Sequence, residues 1–403
     1  MNDKGTPFTG KIIERLCSLS HRGATTENEA TAANYLEEFI TKIGGKATRQ
    51  YFKTSVSYIF EVWWLLFFLL IGLSLIPFFK LLSLAFITIS IVMLFLYFDW
   101  RDTWITEFPP QRQSQNVIGK KQFDSNEPQP RNRIVLMAHY DSAPVSLLYL
   151  PSMVKGFSSS LKFNLFNLLI VELIAVLNCF AIAAALVFWL RYIYMTYFFI
   201  QAIIAGLDYF RKGYTNGAAD NASGVAVAIT TTQKLWTQNI PNWNIELVLT
   251  GAEEVGMRGA KYYLNTCLSK WKGEKVHVLN FDNLGVGNLK IITKTGSITA
   301  IKYDGDLVKT AIGTSKSKPE YSNIEIGEWH TGDFDTIHFQ RSGLSSLTLS
   351  AQDENGLIPN LHRPSDTVEN VDFDTVERAA NFAYEVLVDL INGKYISRQD
   401  VDA

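Results

Sequence analysis

Cysteine is nearly absent: Cys17, Cys179 and Cys267 are the only three in 403 residues. An odd, widely spaced set builds neither a disulfide framework nor a Cys-x-x-Cys metal knot, so nothing here demands an oxidising compartment. An excess of one charge is lacking too. With 37 Lys and Arg against 39 Asp and Glu, the formal net charge is −2. That balance, without a long basic run, gives no sign of a nucleic-acid partner. No segment repeats and none is of low complexity; the polar stretch 125–133, "SNEPQPRNR", is expected to be a loop. The polar segment from Met1 to Lys53 has no short apolar stretch followed by a cleavage site, so no signal peptide is expected.

Apolar residues are plentiful, at 47% of the chain, and they are concentrated in two blocks. Residues 62–98 carry one charge, Lys80. Two spans of about 18 residues around a Pro77–Lys80 turn come close to the roughly 20 that cross a bilayer. Residues 165–207 read likewise as two spans, with the turn expected near Arg191. Trp63, Trp64 and Trp100 stand where an interfacial aromatic belt would place them. Two hairpins return the chain each time, so residues 1–57, 100–160 and 211–403 are expected on one side of a lipid bilayer crossed by 58–99 and 161–210. Lys53, Arg101, Lys155, Lys162, Arg211 and Lys212 flank the spans on that side, and only Lys80 and Arg191 mark the other. The bias favours the cytoplasmic side. Glu172 falls inside the third span, where a carboxylate is by default a functional candidate. With that span starting near Phe163, Glu172 either faces another helix or lies in the first turns, and it receives no role.

Outside the blocks the grammar is α/β. Residues 25–45 carry Ala33, Leu36, Phe39, Ile40 and Ile43 at helical spacing, with Thr25 or Thr26 to cap the start and Gly44-Gly45 to stop it. Short apolar runs at 133–139, 245–250, 276–282 and 345–350 predict buried strands, and 223–236, 258–268 and 374–391 predict helices. Strands alternating with helices imply a central sheet covered on both faces.

Against that grammar the acids and histidines fall in a pattern. His139 and Asp141 follow the first predicted strand, Glu253 and Glu254 the second; Asp282 closes the third, and His362 lies after the fourth. Asp220 opens a helix. Sites in open α/β sheets form outside the carboxyl ends of the strands. Nitrogen and carboxylate ligands without thiolate suit a catalytic zinc, or two metals sharing a bridging carboxylate. The adjacent Glu253 and Glu254, by themselves, read more simply as a solvated first helical turn.

Five stretches, "MAHYDSAP", "GAADNASGVA", "LTGAEEVGMRGA", "NFDNLG" and "NLHRPSDTVEN", resemble in type and order the co-catalytic di-zinc aminopeptidase family. That family includes leucyl-type aminopeptidases, glutamate carboxypeptidases and glutaminyl cyclases. The resemblance spans about 10–55 and 114–395, excluding both apolar blocks. It implies a three-layer α/β sandwich of zinc-exopeptidase type with a central mixed, mostly parallel sheet. The segments 1–57, 100–160 and 211–403 would form that one domain, interrupted by two transmembrane hairpins. It further implies two zinc ions bridged by Asp220, with His139 and Asp282 completing one site and Glu254 and His362 the other. Asp141 would orient the His139 imidazole, and Glu253 would be the general base acting on a peptide substrate. Adjacent side chains diverge, so one glutamate can face metal while the other faces water and substrate.

Two departures stand out. The whole second apolar block separates Asp141 from Asp220, and Thr336 stands where the family commonly has histidine. His21, His277, His330 and His338 read as surface or packing residues, His330 and His338 being the two that could touch substrate. The sequon at Asn221-Ala-Ser223 reads as accidental. The leading expectation is a membrane-embedded aminopeptidase. Glutaminyl cyclisation, carboxypeptidase action and a metal-free receptor-like role are the alternatives, and intact ligands argue against the last.

Overall fold

A computed structural model describes residues 7–101, 103–121, 132–238 and 240–395. Among these residues nine strands form one sheet: β1 (Lys46–Ser55), β2 (Gln111–Lys120), β3 (Asn132–His139), β4 (Trp243–Thr250), β5 (Lys275–Phe281), β6 (Asn288–Thr295), β7 (Ile301–Lys302), β8 (Glu325–Trp329) and β9 (Ser345–Gln352). Their order is β1-β2-β4-β3-β5-β9-β6-β7, with β8 beside β6. The centre, β4-β3-β5-β9, is parallel, and antiparallel pairs extend it on both sides. The polar stretch expected as a loop falls mostly outside the described residues; its last two, Asn132 and Arg133, already belong to β3.

Among the described residues twelve helices accompany the sheet: α1 (Phe8–Cys17), α2 (Glu27–Lys42), α3 (Tyr58–Leu75), α4 (Lys80–Phe98), α5 (Pro151–Val154), α6 (Phe157–Cys179), α7 (Ala184–Lys212), α8 (Gly224–Trp236), α9 (Arg258–Cys267), α10 (Asp306–Ser317), α11 (Thr336–Arg341) and α12 (Phe373–Ile391). The central strands are largely apolar because both faces are covered. Along β3, Ile134, Leu136 and Ala138 enter the large core with α1, α2, α8, α10 and α12. Val135 and Met137 point the other way, into a smaller core with α9 and α11. That alternation makes three layers. Thr26 caps α2, its side chain accepting from the Glu29 N–H.

The helices α3, α4, α6 and the Ala184–Leu207 part of α7 are long and apolar enough to cross a membrane. They pack into a separate apolar cluster. The second hairpin does not turn near Arg191. It turns between Cys179 and Ala184, where Ala181 and Ala183 take left-handed backbone angles, φ 56° and 53°. Arg191 lies inside α7, its guanidinium over the Phe188 and Tyr192 rings. Glu172 is well inside α6 rather than in its first turns, and it accepts a hydrogen bond from Thr88 of α4 at 2.6 Å.

Each hairpin is closed at its base by backbone pairing. Ser55 at the end of β1 faces Gln111 at the start of β2 across an antiparallel ladder. Pro144 and Tyr214 form an isolated antiparallel bridge, reinforced by the Thr215 N–H to the Ala143 carbonyl at 2.8 Å. The first apolar insertion thus begins and ends at the sheet, and the second at a bridge between the loop after β3 and the segment after α7.

Candidate active site

Parallel central strands deliver their carboxyl ends to one edge. There β3 ends in His139, β4 in Thr250 ahead of the two glutamates, and β5 just before Asp282. Asp220 sits in the tight turn Ala218–Ser223 that leads into α8, with a cis peptide to Asn221. Asn221 staples that turn to the end of β5. Its side-chain oxygen accepts from the N–H groups of Gly224 and Asn283, and its amide donates to the Phe281 carbonyl at 2.8 Å. A Cβ on Gly224 would come within 2.2 Å of that side chain and 2.4 Å of the Phe281 carbonyl, so only glycine fits. His362 is held in the left-handed region, φ 52°, with its ring against Tyr149.

The seven residues singled out from the sequence converge. His139 Nε2 lies 3.3 Å from Asp220 Oδ1 and 3.6 Å from Asp282 Oδ2. His362 Nε2 lies 3.4 Å from the other Asp220 oxygen, Oδ2, and 3.0 Å from Glu254 Oε2. The groups His139–Asp220–Asp282 and Asp220–Glu254–His362 each present ligand atoms within 4.8 Å of one another, and so does His139–Glu253–Glu254. Glu254 Oε1 is buried without a hydrogen-bond partner. One nitrogen with two carboxylates in each of the first two groups, and no sulfur, fits zinc.

Charge in this pocket is lopsided. Burial pushes Glu254 up to about 7 and Glu253 well above the usual carboxylate range. Burial also pushes Asp335 to about 7, and it raises Asp282. Burial opposes the charged form of His362, yet Glu254 and Asp220 lift it to about 10. Asp220 goes the other way: despite burial, hydrogen bonds from His139 and His362 hold it below the usual range. Among the described residues lining the surrounding cavity of about 350 Å³ there is no lysine or arginine. A divalent cation would suit such a cluster of carboxylates.

Asp141 does something the sequence did not suggest. Its Oδ1 stands 3.6 Å from His139 Nδ1, too far for a hydrogen bond. Instead Oδ1 accepts from the Glu253 N–H at 3.0 Å and Oδ2 from the Glu254 N–H at 3.1 Å. The carboxylate thus fixes the backbone from which both glutamates diverge. Sequence reasoning also passed over Asp366 and Arg22. Asp366 accepts from the N–H groups of Ala219, at 2.6 Å, and Asp220, at 3.1 Å. Arg22, fully buried, donates to the carbonyls of Tyr140, Asn216 and Gly217, all at 2.7 Å, tying the loop after β3 to the turn bearing Asp220. Asp366 lay in the recognised "HRPSDTVEN" stretch; Arg22 carried no local signal.

The other expectations sort as follows. Thr336 is buried against Thr348 and Tyr303, not in the cavity. His338 and His277 are buried packing residues, His21 stacks on Tyr214, and His330 pairs with Glu328 at the surface. Trp100 has a polar partner in the sheet domain. Its Nε1 donates to Asp333 Oδ2 at 2.9 Å and its ring lines the cavity.

The sheet order and the shared carboxylate define an architecture of zinc-exopeptidase type. The profile of Peptidase family M28 matches residues 202–387. No curated protein matches the chain. Among solved structures, BSAP, a zinc aminopeptidase from Bacillus subtilis, is 13% identical with a TM-score of 0.57, over 98% of this chain and 98% of its own. The aminopeptidase of Aneurinibacillus sp. strain AM-1 is 12% identical, TM-score 0.56, over 95% and 93%. Glutaminyl cyclase of Porphyromonas gingivalis is 13% identical, TM-score 0.55, over 95% and 97%. At these identities the likeness is one of fold. The family match and the donor set support a zinc peptidase.

Proposed function

We propose that the chain is a membrane-anchored aminopeptidase, with segments 1–57, 100–160 and 211–403 as one catalytic domain. His139, Asp220 and Asp282 would hold one zinc ion, and Asp220, Glu254 and His362 a second. The observation that carries this reading is Asp220, whose two oxygens face two different histidines. Bound zinc would acidify a water and polarise the scissile carbonyl. Glu253, free of the two Asp220-centred groups, would take the water proton and pass it to the leaving amine. Asp141 and Asp366 are positioning residues, holding the backbones of the glutamates and of Asp220.

An acidic cavity without lysine or arginine among its described lining favours a substrate's amino end over its carboxyl end. The test is hydrolysis of an aminoacyl-amide panel by detergent-purified, zinc-loaded protein, beside Glu253→Gln and a chelated sample. Cleavage lost in both controls supports the reading. No cleavage by protein that holds zinc overturns it in favour of cyclisation, carboxypeptidase action or binding alone.

A further inference from the structure

The cavity over the metal-type cluster has a floor and a roof of different origin. The floor is the sheet edge, with His139, Asp220, Glu253, Glu254, Asp282 and His362. The roof comes from the apolar insertions. Ile59 and Val62 stand in the first turns of α3, Phe98 ends α4, Phe157 opens α6, and Ala205 lies near the end of α7. All four helices thus reach the cavity with their domain-side ends, and none does so with its distant end.

The roof is bolted to the floor. Glu61 of α3 pairs with Arg258, which opens α9 just beyond the glutamate loop. Asp99 pairs with Arg341 of α11 at 2.8 Å, and Trp100 donates to Asp333. Trp63 of α3 donates to the Ala202 carbonyl of α7 at 2.9 Å, joining the two hairpins close to the roof. A plain anchor needs none of these contacts.

We infer that the hairpins are the specificity wall of the site: Ile59, Val62, Phe98 and Ala205 receive a large apolar side chain at the amino end of the peptide. This rests on the aminopeptidase reading. The acidic floor suits the ammonium, the roof offers that side chain a mostly apolar surface, and a cavity of about 350 Å³ admits a residue of Phe or Leu size. The chain's own membrane segments, not the sheet alone, then choose the substrate.

The test uses full-length, zinc-loaded protein in detergent. Val62→Trp and Ala205→Trp fill the roof from two different helices, so one stands in if the other fails to fold. For either variant, the ratio of kcat/KM for Phe-amide over Ala-amide should fall at least tenfold. An unchanged ratio overturns the inference. A second measurement needs no turnover: calorimetric binding of Phe-Gly-Gly and Ala-Gly-Gly to Glu253→Gln protein, with and without Val62→Trp. Selective loss of the Phe peptide supports the wall even if the wild type cleaves no amide, an outcome that would sink the aminopeptidase reading alone. Equal affinities with and without Val62→Trp overturn it. Turnover of lauroyl-glycine in place of the peptides also overturns it, pointing to a lipid amide instead.

Discussion

Glu61, in the first turn of α3, accepts from Arg258 through both carboxylate oxygens, at 2.8 and 2.9 Å. The carboxylate is fully buried, and Arg258 also donates to the Val255 carbonyl inside the loop that carries Glu253 and Glu254. A membrane-type helix therefore grips the catalytic-type loop directly. Removing one partner of a buried pair leaves an uncompensated charge, at a cost of about 3–5 kcal/mol. Glu61→Leu should thus lower thermal stability by that order and reduce kcat. Adding Arg258→Met should recover stability, because an apolar pair of similar volume is tolerated, while kcat stays low because the loop has lost its tether. Recovery of both together would show the pair to be structural only.

Glu253→Gln should leave zinc content unchanged and lower kcat by about 10²–10⁴, the usual worth of a general base. Asp220→Asn should behave differently, losing metal as well as activity, since one carboxylate serves both histidines. Elemental analysis alongside kinetics separates the two.

Asp366→Asn removes the charge that accepts from the backbone of Ala219 and Asp220. Partners of metal ligands commonly account for about 10–100-fold in metal affinity. Zinc titration after chelation should show a loss of that size with little change in melting temperature.

Acid should destabilise the fold through two histidines remote from the site. Burial holds His338 down to about 3 and His277 down to about 4, both below the ordinary imidazole range. The folded state keeps these rings neutral while the unfolded chain protonates them. Their contribution is therefore complete above pH ~6.5 and declines as pH falls toward the folded values, by about 1.4 kcal/mol per unit for each ring. Melting temperatures at pH 7.5 and 5 should differ, and His338→Phe should shrink the difference.

Gly206 of α7 packs so closely on α3 that a Cβ there would lie 2.3 Å from the Trp63 ring. Gly206→Val should part the two hairpins, disturb the Trp63 bond to Ala202, and lower the detergent-phase melting temperature. A change in tryptophan fluorescence would report the movement.

Much of the fold was legible where the signal is local. The apolar runs announced four membrane-type helices because span length is a property of consecutive residues. The strands β3, β4, β5 and β9 announced themselves because burial on both faces favours short, mostly apolar runs. β1 and β2 were missed: "KATRQYFKTS" and "QRQSQNVIGK" are polar. β1 lies at the sheet edge, where pairing needs backbone groups rather than apolar side chains. The turn of the second hairpin was misplaced because charge was read as its marker. Arg191 is instead accommodated in α7 by stacking on aromatic rings.

By itself the sequence determined which residue types follow the strands, His139, Glu253, Glu254, Asp282 and His362, which one opens a helix, Asp220, and how long the apolar insertions are. Only the tertiary structure decided which partners those residues have. Asp141 turned to the N–H groups of the two glutamates, Trp100 to Asp333, and Glu61 to Arg258. Each of these bonds joins residues far apart in the chain. Propensity and hydropathy are summed over neighbours, whereas a buried polar group takes whichever donor or acceptor the packed elements bring within about 3 Å.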